Sequence, residues 1–135
     1  MPFWMRSGWF KDHGYEHADS RRMQELVWKP FSSDASAPTW VDESPVELGS
    51  ADKVSVTAYK SGWCPAMNLV YERARKAAEE LGDDVEFTTI DVIDRATFLG
   101  CGHSDAVFVD GKPLQRGAPP SYDKIQHAIE KRIRT

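Results

Sequence analysis

The sequence has little of what marks secreted, membrane or nucleic-acid-binding proteins. It holds two cysteines in 135 residues, too few for the disulfide framework of a small secreted domain. No apolar run approaches the roughly 20 residues of a membrane-spanning helix, and the N-terminus lacks the pattern of a signal peptide. The 17 basic residues, set against 21 acidic ones, form no basic stripe of the kind that binds nucleic acid. We therefore expect a cytoplasmic protein without membrane or nucleic-acid partners.

Composition divides the chain into three segments. Residues 1–31 are rich in aromatic side chains, and their pattern predicts the end of a helix followed by a pair of strands. Residues 32–52 are rich in Ser, Asp, Pro and Ala, which is typical of a linker or of a segment draped over a surface, with Trp40 as its anchor. Residues 53–135 alternate between strand and helix patterns, which predicts one compact α/β domain.

The pattern of residues 53–135 predicts the element order β-α-β-α-β-β-α. Pro65 suits the first position of a helix and Gly82 suits its end, while Asp110-Gly111 is a strong hairpin signal. The first two strands should be parallel and the last two antiparallel. The predicted strands are 54–59, 85–92, 106–109 and 114–116, and the predicted helices are 65–81, 95–99 and a final helix capped by Ser121.

Cys64 is the most informative residue of the chain. It stands in Trp63-Cys64-Pro65, where the first strand of the α/β segment ends and its long helix begins. A thiol in this position lies at the positive end of the helix dipole, which favours the nucleophilic thiolate. The alternative is a small, partly buried residue without a chemical role. Trp63 either shields the thiol and offers a flat surface to a partner or packs over the domain edge.

This order of elements, with a Trp-Cys-Pro turn after the first strand, resembles the thioredoxin fold over residues 53–135. Trp63-Cys64 corresponds to the Trp-Cys of that family, and Phe108–Lys112 resembles its hairpin after the third strand. Two positions depart from the family. Met67 replaces the second cysteine, and His103-Ser104-Asp105 occupies the stretch of the cis-proline. The resemblance therefore implies the fold but not ordinary dithiol chemistry.

In a thioredoxin-like arrangement, the loop that contains Cys101 would lie beside the start of the first helix. Cys101 is then a candidate resolving thiol for a reversible disulfide with Cys64, or simply a loop cysteine between two glycines. His103 could stabilise the Cys64 thiolate as an imidazolium or join both cysteines on a soft metal ion. No metal-ligand spacing supports the metal, so none is expected and a surface histidine is favoured. Asn68 and Asp91 could face the thiol, although a solvated helix position and a strand end are the simpler interpretations.

A second resemblance concerns the N-terminal segment. Residues 9–16 together with residues 23–31 resemble the last helix and closing strands of a GNAT-family N-acetyltransferase. Some members of that family carry a thioredoxin-like domain of the YoaP-like type after the closing strand. The resemblance implies that the chain corresponds to the C-terminal part of such an enzyme, with acetyl-CoA as the cofactor of the full-length protein. The acetyl-CoA loop, Arg/Gln-x-x-Gly-x-Gly/Ala, is absent from the sequence, so we expect no cofactor in this chain.

These features leave three functions open. The first is a thioredoxin-like accessory domain of an acetyltransferase, the second a stand-alone thiol redox protein using Cys64 and Cys101, and the third a non-catalytic binding module. Whether the chain is itself an enzyme stays open. The N-terminal aromatic residues are expected to be covered by an acetyltransferase core, by a second copy of the chain or by the chain's own sheet, because large exposed apolar patches are uncommon on monomers. They are Trp4, Trp9, Phe10 and Trp28.

Overall fold

The computed structural model describes residues 6–114 and 117–133. It is a mixed α/β structure with four α-helices, one two-stranded sheet and one four-stranded sheet. The chain forms two compact units, Met1–Val41 and Asp42–Thr135. Trp4 and the last two residues of the strand predicted at 114–116 lie outside the described residues.

The N-terminal unit consists of one short helix and a hairpin, as the sequence predicts. Its elements are α1 (Ser7–Asp12), β1 (Glu16–Arg21) and β2 (Gln24–Trp28). The two strands are antiparallel, with a bulge in β1 between His17 and Asp19. Glu25 of β2 binds the Lys11 ammonium at 2.5 Å and His17 Nδ1 at 2.8 Å. Hydrogen bonds from Lys11, then Ser7 and His17, lower the pKa of Glu25 to about 2.

The N-terminal unit has aromatic side chains but no core. None of its residues from 6 to 41 is fully buried. Trp9 remains 46% exposed, and Phe10 and Trp28 are half-buried. Trp40 is also half-buried, with the Arg21 guanidinium 5.5 Å from the centre of its ring. An isolated two-stranded hairpin is marginally stable in water.

The second unit is built around a mixed four-stranded sheet in the order β4-β3-β5-β6. Strands β3 and β4 are parallel, and β5 is antiparallel to both β3 and β6. The predicted parallel pair and the predicted antiparallel hairpin are therefore confirmed. The elements are β3 (Val54–Lys60), α2 (Pro65–Leu81), β4 (Val85–Asp91), α3 (Arg95–Cys101), β5 (Ala106–Val109), β6 (Lys112–Pro113) and α4 (Tyr122–Ile133).

The structure corrects several predicted element ends. Strand β3 ends at Lys60 instead of Tyr59, and β4 ends at Asp91 instead of Val92. The last described strand is Lys112–Pro113, so it begins before the predicted start at Leu114, because Asp110 and Gly111 both have positive φ, 46° and 73°. They form a two-residue turn that pairs Lys112 directly with Val109. Helix α3 continues to Cys101 instead of ending at Leu99, and it stops at Gly102 in the left-handed conformation.

One face of the sheet forms the hydrophobic core against α2 and α4. Val56 and Ala58 of β3 are fully buried there. The helices contribute side chains at the i, i+3 and i+4 spacing that predicted them. The fully buried helix residues are Val70, Ala74, Ala77, Ile125 and Ile129.

The other face of the sheet carries two buried hydroxyl residues next to the rings of Tyr59 and Phe108. Ser55 and Thr57 of β3 are only 4% and 1% exposed, because the extended residues 42–50, here called the strap, lie across them. The Thr57 hydroxyl donates to the Glu47 carbonyl at 2.6 Å, and the Gly49 N–H donates to Ser55 Oγ at 3.0 Å. Each buried hydroxyl thus has a backbone partner, which removes the cost of taking it out of water.

The beginning of the strap is bound to the end of α3. The Ser44 N–H donates to the Cys101 carbonyl at 2.8 Å, and the Ser44 hydroxyl donates to the Gly100 carbonyl at 3.1 Å. The Ser44 carbonyl in turn accepts from His103 Nε2 at 2.7 Å. His103 is therefore only 5% exposed, and the prediction of a surface histidine is wrong. The strap covers His103, and no sequence pattern near His103 predicts this burial.

Candidate functional site: the turn at the start of helix α2

Cys64 caps the N-terminus of α2. Its backbone is extended (φ −96°, ψ 109°), Pro65 occupies the first helical position, and the Cys64 carbonyl accepts the Asn68 N–H at 2.9 Å. No side chain caps this helix end, and its first turn carries no acidic residue. The Cys64 thiol is free and half-buried. The positive end of a 17-residue helix therefore meets a thiol without a competing carboxylate in that turn.

Two polar side chains hold the turn before Cys64 in place. Asp105 accepts the Ser61 N–H at 2.8 Å through Oδ1 and the Ser61 hydroxyl through Oδ2. Asn68 Nδ2 donates to the Gly62 carbonyl at 3.0 Å, so Asn68 turns toward the Cys64 turn and is not a solvated helix position. The Asn68 Oδ1 atom is buried without a hydrogen-bond partner. The turn is thus fixed from the loop before β5 and from α2 itself.

Asp105 is the site residue that sequence reasoning missed. The sequence drew attention to Asp105 only as one of residues 103–105, which occupy the stretch of the cis-proline. In the structure, the Asp105 carboxylate joins the loop before β5 to the Cys64 turn. The available signal was an acidic residue directly before a buried strand, at the sheet end where Cys64 also lies. That signal is weak, because strand ends often carry acidic residues that face only solvent.

Trp63 projects into solvent. Its side chain is 85% exposed, so it does not pack over the domain edge. Its N–H donates to Ser61 Oγ at 3.3 Å, which fixes the backbone of the residue but leaves the indole free. Large exposed apolar groups next to a thiol are suited to contact a partner molecule.

Cys101 and His103 are engaged elsewhere. The Cys101 thiol, also free and half-buried, contacts the carbonyls of Phe98 and His103 at 3.7 and 3.8 Å. The His103 ring lies 4.5 Å from the ring of Tyr59, centre to centre. Burial raises the pKa of the Tyr59 phenol. Among the described residues, no group of three or more His, Cys, Asp or Glu could hold a metal ion, so Cys64, Cys101 and His103 do not form the metal site weighed above.

A cleft of about 290 Å³ opens beside the Cys64 turn, at the carboxyl ends of β3 and β4. Asp91 is the last residue of β4, as the strand-end interpretation predicts, and it also lines this cleft. We call this cleft the edge cleft. Its lining residues are Lys60, Ser61, Gly62, Tyr71, Thr89, Asp91 and Ile93.

The comparisons with known proteins leave the chain without an assigned family. No family model matches it, and no curated protein matches it either. Within residues 6–114 and 117–133, none of the helices has both the length and the apolar character required to span a membrane.

Proposed function

We propose that the chain is the C-terminal part of a GNAT-type N-acetyltransferase, in which a thioredoxin-like accessory domain presents Cys64 as a reactive thiol. The observation that carries this proposal is the position of Cys64, which caps the N-terminus of α2 at the end of the short turn that follows β3, an inner strand of the sheet. Thiols at helix N-termini are the reactive ones in many unrelated proteins.

The strand order supports the thioredoxin-like part of the proposal. A parallel β-α-β unit followed by an antiparallel hairpin, in the order β4-β3-β5-β6, is the topology that the resemblance implies. Both long helices pack on the same face of this sheet. By the resemblance, Met67 replaces the second cysteine of the family and residues 103–105 occupy the stretch of its cis-proline, so the accessory domain would use a single thiol.

The N-terminal unit supports the acetyltransferase part. Its helix and hairpin have the order of the closing elements of that family, and its residues from 6 to 41 include none that is fully buried. Trp9, Met23 and Phe31 are largely exposed. Such a unit gains stability by packing on an acetyltransferase core, or on a second copy of the chain, through its aromatic residues. Acetyl-CoA would then belong to that core and not to this chain.

The test of the thiol is alkylation by iodoacetamide as a function of pH in the wild type, Cys64→Ser and Cys101→Ser. We expect the Cys64 thiol of Cys101→Ser to be alkylated faster than the same thiol of the urea-unfolded chain, because the positive end of α2 favours the reactive thiolate. Cys101, followed in Cys64→Ser, should react more slowly, since its sulfur contacts two backbone carbonyls. The urea-unfolded chain is the reference. If Cys64 is alkylated no faster than it is in urea, the thiol is incidental and the domain is a binding module.

A Cys64–Cys101 redox pair is the second candidate. The hydrogen bonds from Ser61 to Asp105 favour it, because they join the loop after Cys101 to the turn before Cys64. Oxidised dithiothreitol should then produce an intramolecular disulfide, seen as a loss of two hydrogen atoms in the mass of the wild type, with the dithiothreitol reduced in turn. Mixed disulfides alone, with the same yield on Cys64 in the wild type and in Cys101→Ser, would argue against the pair.

A further inference from the structure

The edge cleft carries two opposite charges that do not neutralise each other. Lys60 and Asp91 are register partners at the ends of parallel strands. The Lys60 ammonium lies 4.0 Å from the centre of the Tyr71 ring and 3.9 Å from Glu72 Oε1. Asp91 Oδ1 accepts the Ile93 N–H at 2.9 Å. In the described part of the chain, no ion pair joins Lys60 to Asp91, so the cleft offers a cation and an anion together.

The remaining walls of the cleft suit a small molecule. The hydroxyls of Tyr71 and Thr89 lie 3.1 Å apart and each keeps lone pairs for a ligand. Ile93 is 66% exposed and forms an apolar rim. The volume of about 290 Å³ is close to the lower limit of small-molecule sites. Ligands of open α/β sheets bind outside the carboxyl ends of the strands, where this cleft lies.

Residues on both sides of Cys64 in the sequence line the edge cleft. Gly62 lines the cleft and is two residues before Cys64, so their Cα atoms are at most about 7.6 Å apart. Tyr71, which also lines the cleft, belongs to α2, which starts immediately after Cys64. Apart from its chain neighbours, no atom lies within 4 Å of a Cβ built on Gly62, so the space beside Gly62 is open.

We propose that the edge cleft binds a small zwitterionic disulfide of the amino-acid type, with its carboxylate at Lys60, its ammonium at Asp91 and its sulfur toward Cys64. This inference rests on the reactivity proposed for Cys64. In the exchange step, the Cys64 thiolate forms a bond to one ligand sulfur while the S–S bond of the ligand breaks. The other half of the ligand leaves as a thiolate, so the ligand disulfide is itself the oxidant.

Four disulfides that differ only in charge test the proposal. Cystine carries carboxylates and ammoniums, cystamine only ammoniums, 3,3′-dithiodipropionate only carboxylates, and bis(2-hydroxyethyl) disulfide neither. The rate of mixed-disulfide formation on Cys64 is followed by mass spectrometry in Cys101→Ser, and each rate is divided by the rate for the same chain in urea. Lys60→Gln and Asp91→Asn are combined with this background, and Lys76→Gln, an exposed lysine of α2 outside the cleft, is the matched control.

We expect cystine to exceed the uncharged disulfide by about threefold to tenfold, the size that one or two exposed ion pairs supply. Lys60→Gln should remove the advantage of the carboxylates and Asp91→Asn that of the ammoniums, while Lys76→Gln changes neither. Equal normalised rates for all four disulfides, with Cys64 still alkylated faster than in urea, would overturn this inference alone. If, in addition, neither the uncharged disulfide nor iodoacetamide reacts with Cys64 faster than in urea, both the proposed function and this inference are refuted.

Discussion

Replacement of Gly102 by alanine should release the strap from α3. Gly102 has φ +71°, and a Cβ at this position would lie 2.1 Å from the carbonyl oxygen of Asp42. That contact is with backbone and cannot be relieved by rotating a side chain. The strap must therefore move away, and the three hydrogen bonds that Ser44 makes with Gly100, Cys101 and His103 are lost with it.

The magnitude follows from two contributions. A left-handed conformation costs an L-residue about 1–2 kcal/mol, and each lost hydrogen bond costs about 0.5–1.5 kcal/mol. Three such bonds bring the expected loss for Gly102→Ala to about 2.5–6.5 kcal/mol. Gly111→Ala is the matched control, since Gly111 has φ +73° but its added Cβ meets only a Leu48 side-chain carbon at an ordinary 3.5 Å. Its cost should be the conformational part alone, about 1–2 kcal/mol.

Urea denaturation followed by far-UV circular dichroism gives both free energies of unfolding. A second measurement is the rate of Cys101 alkylation in a Cys64→Ser background. It should rise in Gly102→Ala, because the strap that binds the end of α3 is displaced, and stay unchanged in Gly111→Ala. If the two alanine variants lose the same stability within about 1 kcal/mol, the strap does not hold α3 and the reasoning is refuted.

Two further predictions concern the Cys64 turn and the hairpin. Asp105→Ala should cost about 2–3 kcal/mol and Ser61→Ala about 1 kcal/mol. A double-mutant cycle in urea should show coupling of at least about 0.5 kcal/mol, and additive losses would mean that the bond contributes nothing. Because the pKa of Glu25 falls from 4.5 to about 2, its contribution to hairpin stability is complete above pH 4.5 and is lost as the pH falls to 2. The protection of the β2 amides, taken as their exchange rate relative to the unfolded chain at the same pH, should decrease over that range in the wild type, and a Glu25→Gln variant that kept the same pH dependence would contradict this assignment.

The elements that the sequence predicted best have chemical signals at their ends. Helix α2 has Pro65 at its first position and Gly82 directly after its last residue, and its predicted and observed bounds coincide. Asp94 caps α3 by accepting the Thr97 N–H at 2.8 Å, which is a role that aspartate prefers at the start of a helix. These signals depend on residues only three or four positions apart, so they can be recognised from the sequence alone.

The features that could not be predicted depend on contacts between distant residues. Ser55 and Thr57 alternate with valines, a pattern that indicates a strand with one face in water, and only the strap makes them buried. His103 has polar neighbours in sequence, and its burial also comes from Ser44, far along the chain. Asp105 binds Ser61 across the sheet end. In each case only the tertiary structure brings the two partners together, so the sequence near either residue does not predict the contact.

The order of bonds along the strap decides how it would open under tension. A pull transmitted through Val41 reaches Ser44 first, so His103 and the Cys101 carbonyl lose their cover at the start. Glu47 and Gly49 follow, and with them the hydroxyls of Thr57 and Ser55. The strap would therefore unzip from the end nearest Cys101, while the face of β3 stays covered until last. A force on the N-terminal unit would thus be felt at the end of α3 before it disturbed the sheet.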